Sequence, residues 1–273
     1  MFDAHNHLQD PRLSENLESI FTTCHRAGIE RMVVNGTCEE DWSKVLNLAQ
    51  AHTSVVPSFG YHPWKLNQRS EAWQTRFTDA LDSIPSAVGE IGLDRWMPQF
   101  DLPLQEEAFV FQLRVAAERN LPLTIHCLKA WGKLVEILER EPLPACGFLL
   151  HSYSGPAEMI PRFARLGAYF SLSGYFAHER KQKQLAGFRL VPRDRLLIET
   201  DAPDMAAPPE LQKYSVMNGN DQLNHPANLS GVYRLGAELL EEPLDDFSAR
   251  VGQNFRELFG SVLGRIDAQE NCE

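Results

Sequence analysis

Met1-Phe2-Asp3-Ala4-His5-Asn6-His7 reads as a short apolar strand ending in a His-x-His pair. Strand side chains alternate with period two, so both imidazoles point the same way. Two neutral ring nitrogens on one face make a divalent-metal clamp when carboxylates or further histidines join them from elsewhere in the fold. By itself the pair means little, because two histidines in a polar turn arise by chance. What stands at the other strand ends decides between these readings.

Outward from that stretch, short apolar runs alternate with longer amphipathic ones. Residues 11–28 carry Leu13, Leu17, Ile20, Phe21 and Cys24 at helical spacing and stop at Gly28. Further strands are expected over 31–36, 54–61, 87–92, 121–127, 146–151, 169–172 and 195–201. Helices are expected over 39–52, 71–84, 105–120, 130–140, 157–166, 179–188, 227–240 and 243–259. No linker rich in Pro, Gly or Ser interrupts the alternation, which predicts a single α/β domain over 1–263 and a frayed tail over 264–273. About eight continuously apolar strands suit a parallel sheet buried on both faces. A TIM-type (β/α)8 barrel, with allowance for distortion, fits best, and about 250 residues suffice for one. The alternative is an open doubly wound sheet, but the Gly-x-Gly-x-x-Gly dinucleotide signature is missing.

The 273 residues are 43% hydrophobic and 23% charged, which excludes a disordered chain. No apolar run approaches the roughly 18 residues of a membrane span. There is no basic segment leading into an apolar core, so a cytoplasmic protein without a signal peptide is expected. Cys24, Cys38, Cys127, Cys146 and Cys272 are odd in number and scattered, as reduced thiols are. A formal net charge of -11 argues against broad tracking along a phosphate backbone. Bound divalent cations would restore positive charge where a single phosphate docks.

Strand after strand ends in a metal-ligand residue: His5 and His7, then Glu90, His126, His151 and Asp201. In a β/α barrel those ends share one rim, where active sites are built. Singly, His126 reads equally as a core histidine, Glu90 as a surface acid and Asp201 as a helix cap before Pro203. Six at equivalent positions are hard to assign to chance. Four histidines and two carboxylates exceed one tetrahedral zinc, so two cations bridged by Glu90 are the economical reading. One cation would take His5, His7, Glu90 and Asp201, and the second Glu90, His126 and His151. Mixed nitrogen and oxygen donors suit zinc, manganese, magnesium or iron.

These residues carry a resemblance. The chain resembles the TatD family of metal-dependent hydrolases, in the wider amidohydrolase superfamily. The matching segments are Phe2-Asp3-Ala4-His5-Asn6-His7-Leu8, Gly60-Tyr61-His62-Pro63, Gly89-Glu90-Ile91-Gly92-Leu93-Asp94, Pro122-Leu123-Thr124-Ile125-His126, His151-Ser152-Tyr153-Ser154-Gly155 and Glu199-Thr200-Asp201-Ala202-Pro203. The helix with Gln105, Phe109 and Gln112, and the late Asn254-Phe255, also stand in family positions. The resemblance implies a distorted TIM barrel, one or two divalent metals (Mg, Mn or Zn) on its rim, and hydrolysis of phosphodiester bonds, often in DNA. By the same resemblance Asp201 is a metal ligand and the general base for the attacking water. Two cations about 4 Å apart lower the pKa of a shared water, and a neighbouring carboxylate takes its proton.

The chain departs from the family on the substrate side. Leu128, followed by Lys129, stands where an arginine is usual; Arg95-Trp96 replaces an aromatic pair; Asp204 replaces a tyrosine; and Asn224-His225-Pro226 replaces Asn-Glu-Pro. Arg95 or Lys129 is the candidate substitute phosphate contact, against the alternative that both are solvated rim charges. His62 is either a substrate contact or part of a turn with Pro63. Trp64, Trp96 and Trp131 offer stacking faces for a base or ordinary packing. The expected partner is nucleic acid or a small phosphodiester, with no membrane and no obligate protein partner. Two other functions remain open: ester or amide hydrolysis, such as D-aminoacyl-tRNA deacylation, and a non-catalytic, metal-stabilised interaction module. Glu90 leaves no place for a carbamylated lysine, which favours phosphoester chemistry.

Overall fold

The computed structural model describes residues 1–99 and 101–270. Eight strands follow one another around a single sheet: β1 (Phe2–Asn6), β2 (Arg31–Asn35), β3 (Val55–Phe59), β4 (Ala87–Asp94), β5 (Leu123–Leu128), β6 (Phe148–Leu150), β7 (Ala168–Ser173) and β8 (Leu196–Glu199). Each pairs in parallel with the next. The crossovers carry α1 (Leu17–Arg26), α2 (Glu39–Ala51), α3 (Trp73–Ser83), α4 (Leu102–Arg119), α5 (Trp131–Arg140), α6 (Ile160–Arg165) and α7 (Gln182–Gly187). The architecture is a TIM-type (β/α)8 barrel. Its strands are apolar on both faces because one face lines the barrel and the other meets the helices; every residue of β3 and β4 is buried.

The barrel is nearly closed. At the seam between β8 and β1, Asp201 N donates to His5 O at 3.0 Å and His7 N to Ala202 O at 2.7 Å. Asp3, fully buried below them, accepts from the backbone N–H and hydroxyl of Thr200 at 2.9 and 2.6 Å. A side-chain carboxylate thus does part of a strand ladder's work.

Two helices complete the chain, α8 (Leu229–Leu240) and α9 (Leu244–Glu270). Phe255, Leu258, Phe259 and Val262 of α9 join Phe2, Ala4, Val33 and Val56 in a cluster that plugs one end of the barrel. Phe2 and Phe255 stack with centroids 4.9 Å apart. Asn254 donates to the carbonyls of Arg193 and Leu196, tying this floor to β8. The frayed tail expected over 264–273 is corrected, because α9 remains helical to Glu270. Ile266 continues the apolar stripe onto the floor cluster, and Asp267 pairs with Arg31 at 2.8 Å. Residues 271–273 lie outside the described residues.

Two other expectations change. The helix over 11–28 begins as a 3-10 segment, Pro11–Asn16, because the Asp10 side chain caps Arg12 N and proline starts the turn. Between β8 and α8 lies an unanticipated hairpin, β9 (Ser215–Asn218) and β10 (Asp221–Asn224). Its signal was Gly219-Asn220, a two-residue loop with Gly219 at φ 60°. No helix among the described residues is long and apolar enough to cross a membrane.

Candidate metal centre

All six predicted ligands gather at the open end of the barrel, opposite the α9 floor. His5 lies in β1 and His7 just after it, Glu90 in β4, His126 in β5, His151 directly after β6 and Asp201 just beyond β8. Register breaks between Asp3 and Asn6 in β1, and between Val88 and Ile91 in β4, bracket His5 and Glu90. Such bulges re-aim side chains beside active sites. Gly92 then passes so close to β5 that a Cβ there would lie 1.9 Å from the His126 carbonyl oxygen. Asp201 sits at φ 53° and caps no helix; Asp204 N returns to its carbonyl instead.

Glu90 stands at the centre. Its Oε2 lies 3.5 Å from His5 Nε2 and 3.2 Å from His7 Nε2. Its Oε1 lies 3.0 Å from His126 Nδ1, 2.9 Å from His151 Nε2 and 3.3 Å from His62 Nε2. Asp201 Oδ1 faces His5 and His7 at 3.4 and 3.6 Å. Three triplets bring candidate ligand atoms within 4.8 Å of one another: His5, His7 and Glu90; His5, His151 and Asp201; and His62, Glu90 and His126. His62, expected on the substrate side, is thus brought among the potential ligands.

The outer partners of each ring test whether these nitrogens suit a metal. His7 Nδ1 meets the Asn35 carbonyl at 2.8 Å and His126 Nε2 meets Asp94 Oδ2 at 2.8 Å. Both partners only accept, so those nitrogens keep a proton, and the opposite ones, Nε2 of His7 and Nδ1 of His126, offer a lone pair to a cation on losing theirs. His151 presents Nε2 inward, with Nδ1 turned towards Glu199 at 3.6 Å. His5 Nε2 and His7 Nε2 are only 3.1 Å apart, and buried His5 Nδ1 has no hydrogen-bond partner. These convergent nitrogens and carboxylate oxygens fit divalent cations. His62 differs: its Nδ1 accepts from Trp64 N, which leaves an N–H on Nε2. That nitrogen is arranged to donate rather than to ligate.

Burial and charge compete throughout the cluster. Burial pushes the Glu90 carboxyl up, but the imidazoles of His62, His151 and His126 outweigh it and hold the group well below the ordinary value. Burial opposes protonation of His7, yet Glu90 and Asp201 carry it up to about 9. His151 is raised well above its usual value by Glu90 and Glu199 against the same burial. Burial also raises Asp201, but His5, His151 and His7 bring it below the usual carboxylate range. His62 goes the other way, to about 4, because burial dominates. At neutral pH both carboxylates are therefore charged and His62 is neutral.

Sequence reasoning missed the supports. Asp94 was only a motif position, yet it orients His126 and also accepts from Trp64 Nε1 at 2.8 Å. Gln105 fixes the Asp94 backbone through bonds of 2.7 and 2.9 Å, which gives that α4 position its purpose. Glu199, fully buried, accepts from Ser152 and Ser171. Asp204 is held with Asp10 by a shared Arg12, and His225 caps the turn before α8 through Ala227 N. Arg95 N donates to Leu128 O at 2.9 Å, so Arg95 and Lys129 occur on adjoining, exposed parts of the rim.

The model of the family described as TatD related DNase matches residues 2–260. The chain is 31% identical over 263 residues to a protein named uncharacterized metal-dependent hydrolase YjjV from Escherichia coli, covering 94% of this chain and 96% of the relative. It is 30% identical over 269 residues to a protein named 3'-5' ssDNA/RNA exonuclease TatD from Escherichia fergusonii, covering 95% and 99%. The crystal structure of Escherichia coli YjjV, described as a TatD homolog, matches with a TM-score of 0.87 at 29% identity, over 95% of this chain and 98% of that one. With the family model spanning residues 2–260 and a relative 31% identical over nearly the full length of both chains, the chain belongs to the TatD related DNase family.

Proposed function

We propose that this protein is a metal-dependent phosphodiesterase acting on DNA as an exonuclease, in the cytoplasm, with Asp201 as general base. The supporting observation is the division of Glu90, one oxygen towards His5 and His7 and the other towards His62, His126 and His151. His5, His7, Glu90 and Asp201 would hold one divalent cation, and Glu90, His126 and His151 a second. Such cations supply charge neutralisation at phosphoryl oxygens and acidify a water. The chain's own groups do the rest. Asp201, ionised at neutral pH and opening onto the rim, takes the proton of the attacking water. His62, neutral and carrying its proton on Nε2, 3.3 Å from Glu90 Oε1, supplies a hydrogen-bond donor at the edge of the centre. Buried free thiols at Cys24, Cys38 and Cys127 suit a reducing compartment.

Single-stranded DNA and bis-p-nitrophenyl phosphate are expected to be hydrolysed with magnesium, manganese or zinc. Dialysis against EDTA is expected to stop turnover and lower the melting temperature, and added metal to restore both, because a ligand bound only by the folded state stabilises it by about 2.7 kcal/mol at a hundredfold excess over Kd. Failure of every metal on both substrates would exclude the reading, and turnover of D-aminoacyl-tRNA alone would establish the deacylase instead. Arg95 or Lys129 is the proposed phosphate contact. Arg95→Ala is expected to raise KM roughly tenfold while kcat holds, the signature of lost uniform binding. Unchanged KM and kcat would remove Arg95.

A further inference from the structure

Five tryptophans are present, and the structure separates them by surroundings. Trp42 and Trp73 are buried in the core. Trp131 packs on Tyr153 and Phe163, with centroids 4.7 and 6.1 Å away. Trp64 and Trp96 behave otherwise: they are 46% and 55% exposed, although each is large and apolar. They lie side by side, centroids 6.3 Å apart and rings inclined at 33°. Trp64 also meets the centre itself, edge to face with His62 at 5.0 Å and with His126 at 5.8 Å.

One carboxylate fixes this wall against the site. Asp94 Oδ2 accepts from Trp64 Nε1 and meets His126 Nε2, both at 2.8 Å, while Asp94 Oδ1 accepts from Trp96 N. Asp94 therefore ties the Trp64 indole and the Trp96 backbone to the ligand cluster, and the Trp96 ring lies against Trp64. Exposed adjoining aromatics beside a polar centre leave apolar surface in water unless something covers it. A nucleobase attached to the phosphate being cleaved has the matching flat π-face.

We propose that Trp64 and Trp96 form a base-stacking subsite that selects nucleotidyl phosphodiesters over esters of the same charge without a base. The proposal rests on the phosphodiesterase reading above and assigns a specificity role to residues outside the ligand set. Trp96 supplies the outer stacking face. Trp64 supplies the inner one and, through Asp94, sets its distance from His126. Stacking one base on an aromatic face is worth roughly five- to 150-fold in affinity.

The test compares two end-labelled, single-stranded oligodeoxynucleotides of equal length and charge, one with ordinary terminal nucleotides and one abasic at both termini. Each is cleaved by wild type, Trp96→Ala and Trp96→Phe with the metal that supports turnover. Wild type is expected to favour the ordinary terminus by about tenfold or more in kcat/KM, Trp96→Ala to lose most of that preference, and Trp96→Phe to keep most of it. An equal preference in wild type and Trp96→Ala overturns the subsite, as does an alanine variant that slows both substrates by the same factor. Equal wild-type cleavage of both oligonucleotides removes the subsite and leaves the nuclease reading standing. Cleavage of neither removes both.

Discussion

Asp201→Asn is expected to lower kcat by about two to four orders of magnitude, the usual worth of a positioned general base. The substitution changes little else. Asparagine has the same shape and tolerates the left-handed backbone at this position, where φ is 53°. The backbone bond from Asp201 N to His5 O, which helps close the barrel seam, is untouched. What disappears is a charge beside His5 and His7 and the capacity to take a proton. Because Asp201 also stands among the proposed ligands, turnover should be measured with metal content and a melting curve on the same preparation. A variant that keeps its metal and turns over within tenfold of wild type would remove Asp201 as the base.

The convergence of these six side chains was legible because a parallel barrel reduces a three-dimensional question to a one-dimensional one. Once strands are recognised from continuous apolar runs, their ends fall on one rim wherever they lie in the chain. His126 and His151, 25 residues apart, come within 3.3 Å of each other by that rule alone. The supporting residues were not legible, because their partners depend on register and rotamer. Asp94 and Glu199 looked like strand-end and mid-strand acids; which ring each would meet follows from the bulge in β4 and from serines on β7 and its neighbour loop. The seam was hidden for a similar reason, since nothing local marks Asp3 as a substitute for ladder bonds to Thr200. Trp64 and Trp131 have the same side chain beside similar strand ends, and only the packing separates an open indole from a covered one. The end of α9 was misread because polar residues around Gly264 mask a stripe whose partner is the distant barrel floor.

Glu90→Gln is expected to abolish turnover to at least about the same extent as Asp201→Asn and, unlike it, to disrupt metal binding at both halves of the centre. Glu90 is only 2% exposed and, among the described residues, is the one carboxylate that reaches His5 and His7 on one side and His62, His126 and His151 on the other. Glutamine keeps the volume but turns one acceptor oxygen into a donor and removes the charge that the imidazoles surround. Loss of even an outer partner of a metal ligand costs about 10- to 100-fold in affinity, so loss of the shared ligand should cost more. Metal-free protein offers an independent reading. The Glu90 carboxyl is held well below 4.5 and His151 well above 6.5. The depressed carboxylate contributes stability above its unfolded value, and the raised histidine contributes fully below its own. Their mutual stabilisation is therefore greatest between about pH 4.5 and 6.5, and the variant's deficit in melting temperature should be greatest there. With the charge gone, burial should pull the His151 pKa down in an NMR titration. Full metal content, turnover within tenfold of wild type and an unmoved His151 would show that Glu90 is a bystander in its own cluster.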